Sequence, residues 1–132
     1  MDASGYSDLL KRFESKTAKV GIIGLGYVGL PLALACSKFG FATIGFDVDE
    51  TKISALAKGL SYLKHISSKN ITKAIDNGTL NVSCNFNRLE DMDAIIICVP
   101  TPLSSGNEPD LSYVTSTAEV IAEHIKVGQL VV

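Results

Sequence analysis

The sequence predicts an α/β fold in which a doubly wound parallel sheet carries helices on both faces. Three observations lead there. Short apolar runs alternate with stretches of helical periodicity along the 132 residues. Several of those runs, such as 20–23 and 94–99, are continuously apolar, as strands covered on both sides are. Glycines stand where helices should end, at Gly40 and Gly59, and Gly128 releases the chain into its last apolar run.

Residues 1–17 are polar except for Leu9, Leu10 and Phe13, whose spacing predicts a short amphipathic helix packed onto the rest. Residues 20–23 form a first strand. A helix follows with Val28, Leu32, Ala35, Cys36 and Phe39 on one face, and Pro31 falls in its first turn, where amides lack intrahelical acceptors. Residues 42–46 are a second strand. Asp49 is placed to N-cap the next helix, with Ile53, Leu56 and Ala57 facing inward. A connector at 61–65 leads to a helix over 68–76, a turn at Asn77-Gly78 and a third strand over 80–84. Residues 94–99 make the clearest strand. Asp110 is expected to cap a helix whose Val114, Ala118, Ile121, Ala122 and Ile125 share a face, before a fifth strand from Leu130. The sequence stops inside that strand, so the expectation is a sheet truncated within it, part of something longer.

Bulk properties narrow the function classes. A net charge of −2 and a pI near 5.6 leave no basic stripe for nucleic acid, and Lys11, Arg12 and Lys16 read as a solvated helix face. Cys36, Cys84 and Cys98 are odd in number and widely spaced, which fits neither a disulfide framework nor a zinc site. Cys36 and Cys98 are expected as buried small hydrophobes. His65 and His124 stand far apart, so no metal is expected. No run approaches the ~18 apolar residues of a membrane span, and the N-terminus lacks a signal-peptide core. A soluble cytoplasmic protein, with no membrane partner, is the expectation.

The residues that carry chemistry begin at Gly24-Leu25-Gly26-Tyr27-Val28-Gly29. This G-x-G-x-x-G follows a predicted strand, opens a predicted helix and has an acid, Asp47, about twenty positions on, at the end of the next strand. Those three conditions together describe a Rossmann-type dinucleotide site. Gly24 permits the tight turn, Gly26 lets the backbone approach a pyrophosphate, and Gly29 lets the helix pack near the sheet. The phosphates would meet free N–H groups and the positive end of the helix dipole. Asp47 is expected to accept hydrogen bonds from the adenosine ribose; the competing role is a capping or solvated acid. Asp47, Asp49 and Glu50 would repel a 2′-phosphate with only Lys52 nearby, which favours NAD over NADP.

The run KVGIIGLGYVGLPLA at 19–33 resembles the opening of the UDP-glucose/GDP-mannose dehydrogenase family. GFDVD at 45–49 with Lys52, CVPTPL at 98–103 and EPDLSY at 108–113 agree with it. The resemblance implies that Val28 lines the dinucleotide site beside Leu25 and Tyr27 of the same loop. It also implies that Lys52 approaches the adenosine end, and that Val99 and Thr101 border the cofactor where the fourth strand ends. For Thr101 the residues alone leave open a turn between two prolines, and for Lys52 a solvated surface lysine. SYLKHI at 61–66 and the EPDLSY stretch are similar to enzymes acting on UDP-N-acetylhexosamines.

By this resemblance the whole protein oxidises a UDP-sugar to the uronic acid in two NAD-dependent steps, through a cysteine that forms a thiohemiacetal and a thioester. Cys36, Cys84 and Cys98 do not match that cysteine, so no catalytic residue is expected in this chain. A UDP-sugar partner, a homo-oligomeric whole protein and a separate substrate domain are further implications. Residues 1–18 then read as a helical extension and 19–132 as an incomplete NAD-binding domain. Two other readings compete: a complete, non-enzymatic dinucleotide-binding module, and a hydroxyacid or 6-phosphogluconate-type dehydrogenase, against which PTPL and EPDLSY speak.

Overall fold

The computed structural model describes residues 3–132; Met1 and Asp2 of the predicted first helix lie outside them. In chain order the elements are α1 (Ala3–Glu14), β1 (Lys19–Ile23), α2 (Gly29–Lys38), β2 (Ala42–Phe46), α3 (Glu50–Ala57), α4 (Ser68–Asp76), β3 (Leu80–Ser83), a 3-10 helix (Phe86–Asp91), β4 (Ala94–Ile97), α5 (Ser112–His124) and β5 (Leu130–Val131). The five strands form one sheet in the order β3-β2-β1-β4-β5, and every pairing is parallel. The chain therefore reverses direction of travel between β1 and β4, and the crevice beyond their carboxyl ends is where such sheets take ligands.

Strand residues alternate between two cores. Val20, Ile22 and Leu80 join Leu30, Ala33, Leu56 and Ile71 on the side of α2, α3 and α4. Ile23, Ile44, Phe46 and Ile95 join Leu89, Met92 and Ile121 on the side of the 3-10 helix and α5. Burial on both faces is why β1 and β4 read as unbroken apolar runs. Helix α1 contributes Leu9, 6% exposed, and a Phe13–Phe41 ring contact with centroids 5.9 Å apart.

Several face assignments need correction. In α2 the buried stripe is Gly29, Leu30, Ala33 and Ser37, while Val28 and Phe39 are exposed. The helix starts one residue later than Val28, and Ser37 is drawn inward by a 2.6 Å hydroxyl contact with Thr79. Ala57 of α3, Ala118 and Ala122 of α5 and its C-cap Ile125 are exposed as well; α5 buries Ile121 and turns Val114 partly inward, as expected, but fills the rest of that side with Thr117, Val120 and His124. In α1 Leu10 is exposed, and Arg12, although on the exposed face, also pairs with Asp93, whose other oxygen accepts the Lys19 amide at 2.7 Å. The fourth strand ends at Ile97, ahead of Pro100.

Asp49 does cap α3, accepting from the amides of Thr51 and Lys52. Asp110 stands one residue before the N-cap position, which Leu111 occupies, yet its carboxylate still accepts the Ser112 amide at 2.9 Å. Cys36 and Cys98 are half-buried against the first core.

Candidate functional site

The glycine loop turns from β1 to α2 at the carboxyl end of the sheet. Gly24 has φ +95°, and a side chain there would place Cβ 2.7 Å from the Cys98 carbonyl oxygen. Its amide donates to Phe46 O at 2.8 Å, extending the pairing of β1 with β2 by one residue. Leu25 plugs the loop onto the sheet: its side chain is 1% exposed and fills the space that Gly45 leaves, where a Cβ would lie 2.8 Å from the Leu25 Cδ2. At Gly29 a Cβ would overlap the carbonyl oxygen of Gly24. Gly24 and Gly29 are thus required by the protein itself.

Gly26 is different. A Cβ built there meets no atom within 4 Å, and its φ lies outside the left-handed region. Neither packing nor backbone geometry asks for glycine at this position. Its side faces the cleft, flanked by Tyr27 and Val28, which are 76% and 68% exposed. Among the described residues the amides of Gly26, Tyr27 and Val28 have no hydrogen-bond acceptor. Three free donors at the mouth of a ten-residue helix suit an anion.

The cleft has a volume of about 980 Å³. Its lining brings together nine of the ten sequence-predicted residues: Gly24, Leu25, Gly26, Tyr27, Val28, Asp47, Lys52, Val99 and Thr101. Gly29 alone lies behind the loop, buried. Asp47 is buried, and it is neither the helix cap nor a solvated acid. One carboxylate oxygen accepts the Leu25 amide at 2.9 Å and the other the Asp49 amide at 2.9 Å. A carboxylate offers about four acceptor sites, so both oxygens can still receive hydroxyls from the cleft. The Lys52 ammonium sits 5.7 Å from the centre of the Tyr62 ring.

The opposite wall was not legible in the sequence. It comes from Phe86 and from Tyr113, Ser116, Thr117 and Val120 of α5. Those four α5 residues have i, i+3, i+4, i+7 spacing, so one stripe of the helix faces the cleft. The signal existed in Tyr113, the last residue of EPDLSY, but the more apolar stripe beside it drew the assignment. Before α5 the chain folds back on itself: Leu103 bridges Pro109, and the Asp110 amide donates to Pro102 O at 2.7 Å.

Among the cysteines only Cys98 reaches the cleft. Burial pushes its thiol up, as it does that of Cys36. The Cys84 thiol is also raised, by desolvation and then by the carboxylates of Glu50, Asp47 and Asp49.

A parallel sheet, a reversal point between β1 and β4, and a glycine loop with free amides above it define a Rossmann-type dinucleotide-binding domain. Residues 18–132 match the model of the UDP-glucose/GDP-mannose dehydrogenase family, NAD binding domain, and the chain belongs to that family. It is 31% identical over 115 residues to the UDP-N-acetyl-D-mannosamine dehydrogenase of Pyrococcus horikoshii, covering 86% of this chain. Over 117 residues, 89% of this chain, it is 32% identical to the UDP-N-acetyl-D-glucosamine 6-dehydrogenase of Pseudomonas aeruginosa. The chain spans 27% of the length of each.

Among solved structures, a UDP-D-ManNAc dehydrogenase from Pyrococcus horikoshii superposes with a TM-score of 0.80 at 32% identity, over 86% of this chain and 27% of that one. A GDP-mannose dehydrogenase ternary complex from Pseudomonas aeruginosa gives 0.78 at 31% identity, over 82% and 25%. Likeness to (S)-3-hydroxybutyryl-CoA dehydrogenase of Ralstonia eutropha, TM-score 0.57 at 15% identity over 86% and 39%, reflects the fold alone. No helix among the described residues is long and apolar enough to cross a membrane.

Proposed function

We propose that this chain is the cofactor-holding part of a nucleotide-sugar 6-dehydrogenase whose substrate is a UDP-N-acetylhexosamine, oxidised in two NAD-dependent steps to the uronic acid. The observation that carries the cofactor assignment is Gly26, a glycine with open space around its missing side chain and three acceptor-free amides at its position in the loop. That is the room a pyrophosphate needs. The amides of Gly26, Tyr27 and Val28 hold the phosphates, and Asp47 accepts from the adenosine ribose. Lys52 lies toward the adenosine end, and Val99 and Thr101 border the cofactor where β4 ends. NAD, when bound, supplies the hydride acceptor. This chain's residues orient it between the glycine loop and the α5 wall and exclude water from one side.

The sugar assignment rests on the two relatives named above, which carry UDP-N-acetylmannosamine and UDP-N-acetylglucosamine in their names. Cys36, Cys84 and Cys98 do not match the family's cysteine, and their thiols are all raised, so on this reading the thioester of the second oxidation forms outside this chain. Calorimetric titration of the 132-residue chain should therefore give one NAD site, with no NAD reduction when UDP-N-acetylglucosamine or UDP-N-acetylmannosamine is added. Absent NAD binding would end the cofactor assignment, and turnover by the chain alone would end the assignment of chemistry to residues outside it.

A further inference from the structure

The 61–66 segment divides by spacing into two pairs. Leu63 and Ile66 are buried in the same core as Leu25. Tyr62 and His65 turn toward the glycine loop instead. The Tyr62 hydroxyl donates to the Leu25 carbonyl, and the His65 ring stacks on Tyr27 with centroids 5.6 Å apart and planes at 8°. The two contacts fall on either side of Gly26.

The segment is itself held. Ser61 Oγ donates to the Leu63 carbonyl at 2.9 Å, the Ser61 amide donates to Ser68 Oγ at 2.9 Å, and the Ile66 amide donates to the Leu63 carbonyl at 3.1 Å. A rigid segment with two buried feet can transmit position; a loose loop cannot.

The Leu25 carbonyl belongs to the same peptide plane as the Gly26 N–H. In a trans peptide those two bonds point in opposite directions, so a group that fixes one aims the other. Asp47 already fixes the amide at the other end of Leu25. The peptide before Leu25 is thus held through its N–H and the peptide leading into Gly26 through its carbonyl, while the Gly26 N–H is left without a protein acceptor.

We propose that Tyr62 is a positioning residue for the phosphate-binding loop: by holding the Leu25 carbonyl it aims the Gly26 N–H into the cleft, while His65 steadies Tyr27 on the far side. This rests on the cofactor assignment above. Burial, reinforced by the carboxylates of Asp47 and Asp49, pushes the Tyr62 hydroxyl up, so it remains a donor at all ordinary pH. Its ring also carries the Lys52 ammonium, so Tyr62→Phe removes the hydroxyl while leaving that contact in place.

The test compares ADP-ribose, which has the pyrophosphate, with adenosine, which lacks it, on the 132-residue chain and on Tyr62→Phe. Losing one neutral hydrogen bond should weaken ADP-ribose and NAD about two- to tenfold and leave adenosine unchanged. A purely structural Tyr62 would move both ligands alike or move only the thermal midpoint, and either result overturns the proposal. One measurement needs no variant: in NMR titrations of the parent chain the Gly26 amide should shift with ADP-ribose and stay still with adenosine. A Gly26 amide indifferent to ADP-ribose, in a chain that binds it, overturns the proposal and moves the phosphates away from Gly26, while dinucleotide binding itself stands. If the parent chain binds neither NAD nor ADP-ribose, the cofactor assignment falls and takes the proposal with it.

Discussion

At the scale of single residues, the three loop glycines do three different jobs, and substitution separates them. Gly29→Ala would drive a methyl into the Gly24 carbonyl and should destabilise the fold by ~1–3 kcal/mol, as overpacking does. Gly26→Ala meets open space, so its thermal midpoint should match the parent while NAD affinity falls about ten- to a hundredfold through the same overpacking, now against the ligand. Equal NAD affinity in Gly26→Ala would mean the pyrophosphate lies elsewhere. Asp47 offers the complementary experiment. A hydrogen bond to a charged acceptor is worth ~1.5–3 kcal/mol, so Asp47→Ala should cost NAD about ten- to a hundredfold. Because the Leu25 and Asp49 amides lose their acceptor too, that variant should also melt earlier. Asp47→Arg removes the repulsion of a 2′-phosphate and supplies a bidentate donor, so the NADP/NAD affinity ratio should rise. A fixed ratio in a folded Asp47→Arg would show that the carboxylate serves only the loop. These residues were legible in the sequence because they are contiguous or one strand–helix unit apart. Tyr62 was not, because no spacing rule links a residue to a loop that the fold brings back from far along the chain, and Tyr113 was passed over for the more apolar stripe beside it.

At the scale of elements, helix ends were read better than helix faces. Gly40 and Gly59, just past the ends of α2 and α3, have positive φ, where glycine is favoured, so those stops were visible as chemistry; Gly128, also at positive φ, sits in a turn before β5, three residues past the α5 C-cap Ile125. Faces were less visible, because α2 and α5 carry apolar residues on more than one side and the sheet takes only one of them. Of the predicted α5 stripe Val114 and Ile121 do turn inward, Ile121 reaching the core of Phe46 and Ile95, but Ala118, Ala122 and Ile125 give way to Thr117, Val120 and His124. Among the caps, Asp49 is the most testable. Its carboxyl is held below the usual range, first by the Thr51 hydroxyl and then by the Thr51 and Lys52 amides. A depressed folded value means that its contribution is present above the ordinary carboxylate value of 3.8 and disappears as pH falls through the lower folded value. Asp49→Ala should therefore lower the thermal midpoint at neutral pH, with the gap to the parent closing below about pH 3.8. Asp49→Asn keeps an acceptor at the cap and should lie between the two. A gap that persists unchanged into acid would show that the cap works without its charge.

At the scale of the molecule, the sheet was foreseeable in strand order, since a dinucleotide motif with parallel strands admits few windings. The anchoring of its base was less so. Asp93 receives Arg12 from α1 and the Lys19 amide from β1, while its carbonyl accepts the Leu130 amide of β5 at 2.9 Å, so one residue ties three elements together. The edge that results is β5. Leu130 N–H donates to Asp93 O and Val132 N–H to Ile95 O, and Val132 O accepts from Ile97. Val131, between them, turns its N–H and carbonyl away from β4, to the side where no strand pairs among the described residues. Its neighbours add apolar surface: Leu130 is 44% exposed, Val132 66% and Val127 95%. An open apolar edge invites pairing with another copy. The chain should therefore self-associate with rising concentration in sedimentation velocity runs. Val131→Pro deletes the outward N–H while leaving every β4–β5 hydrogen bond intact, and prolines are accepted on edges for that reason. The variant should hold the monomer to higher concentration, with NAD affinity unchanged because β5 contributes nothing to the cleft lining. A parent chain that stays monomeric throughout, or a proline variant that associates as strongly, would place any self-contact on another surface.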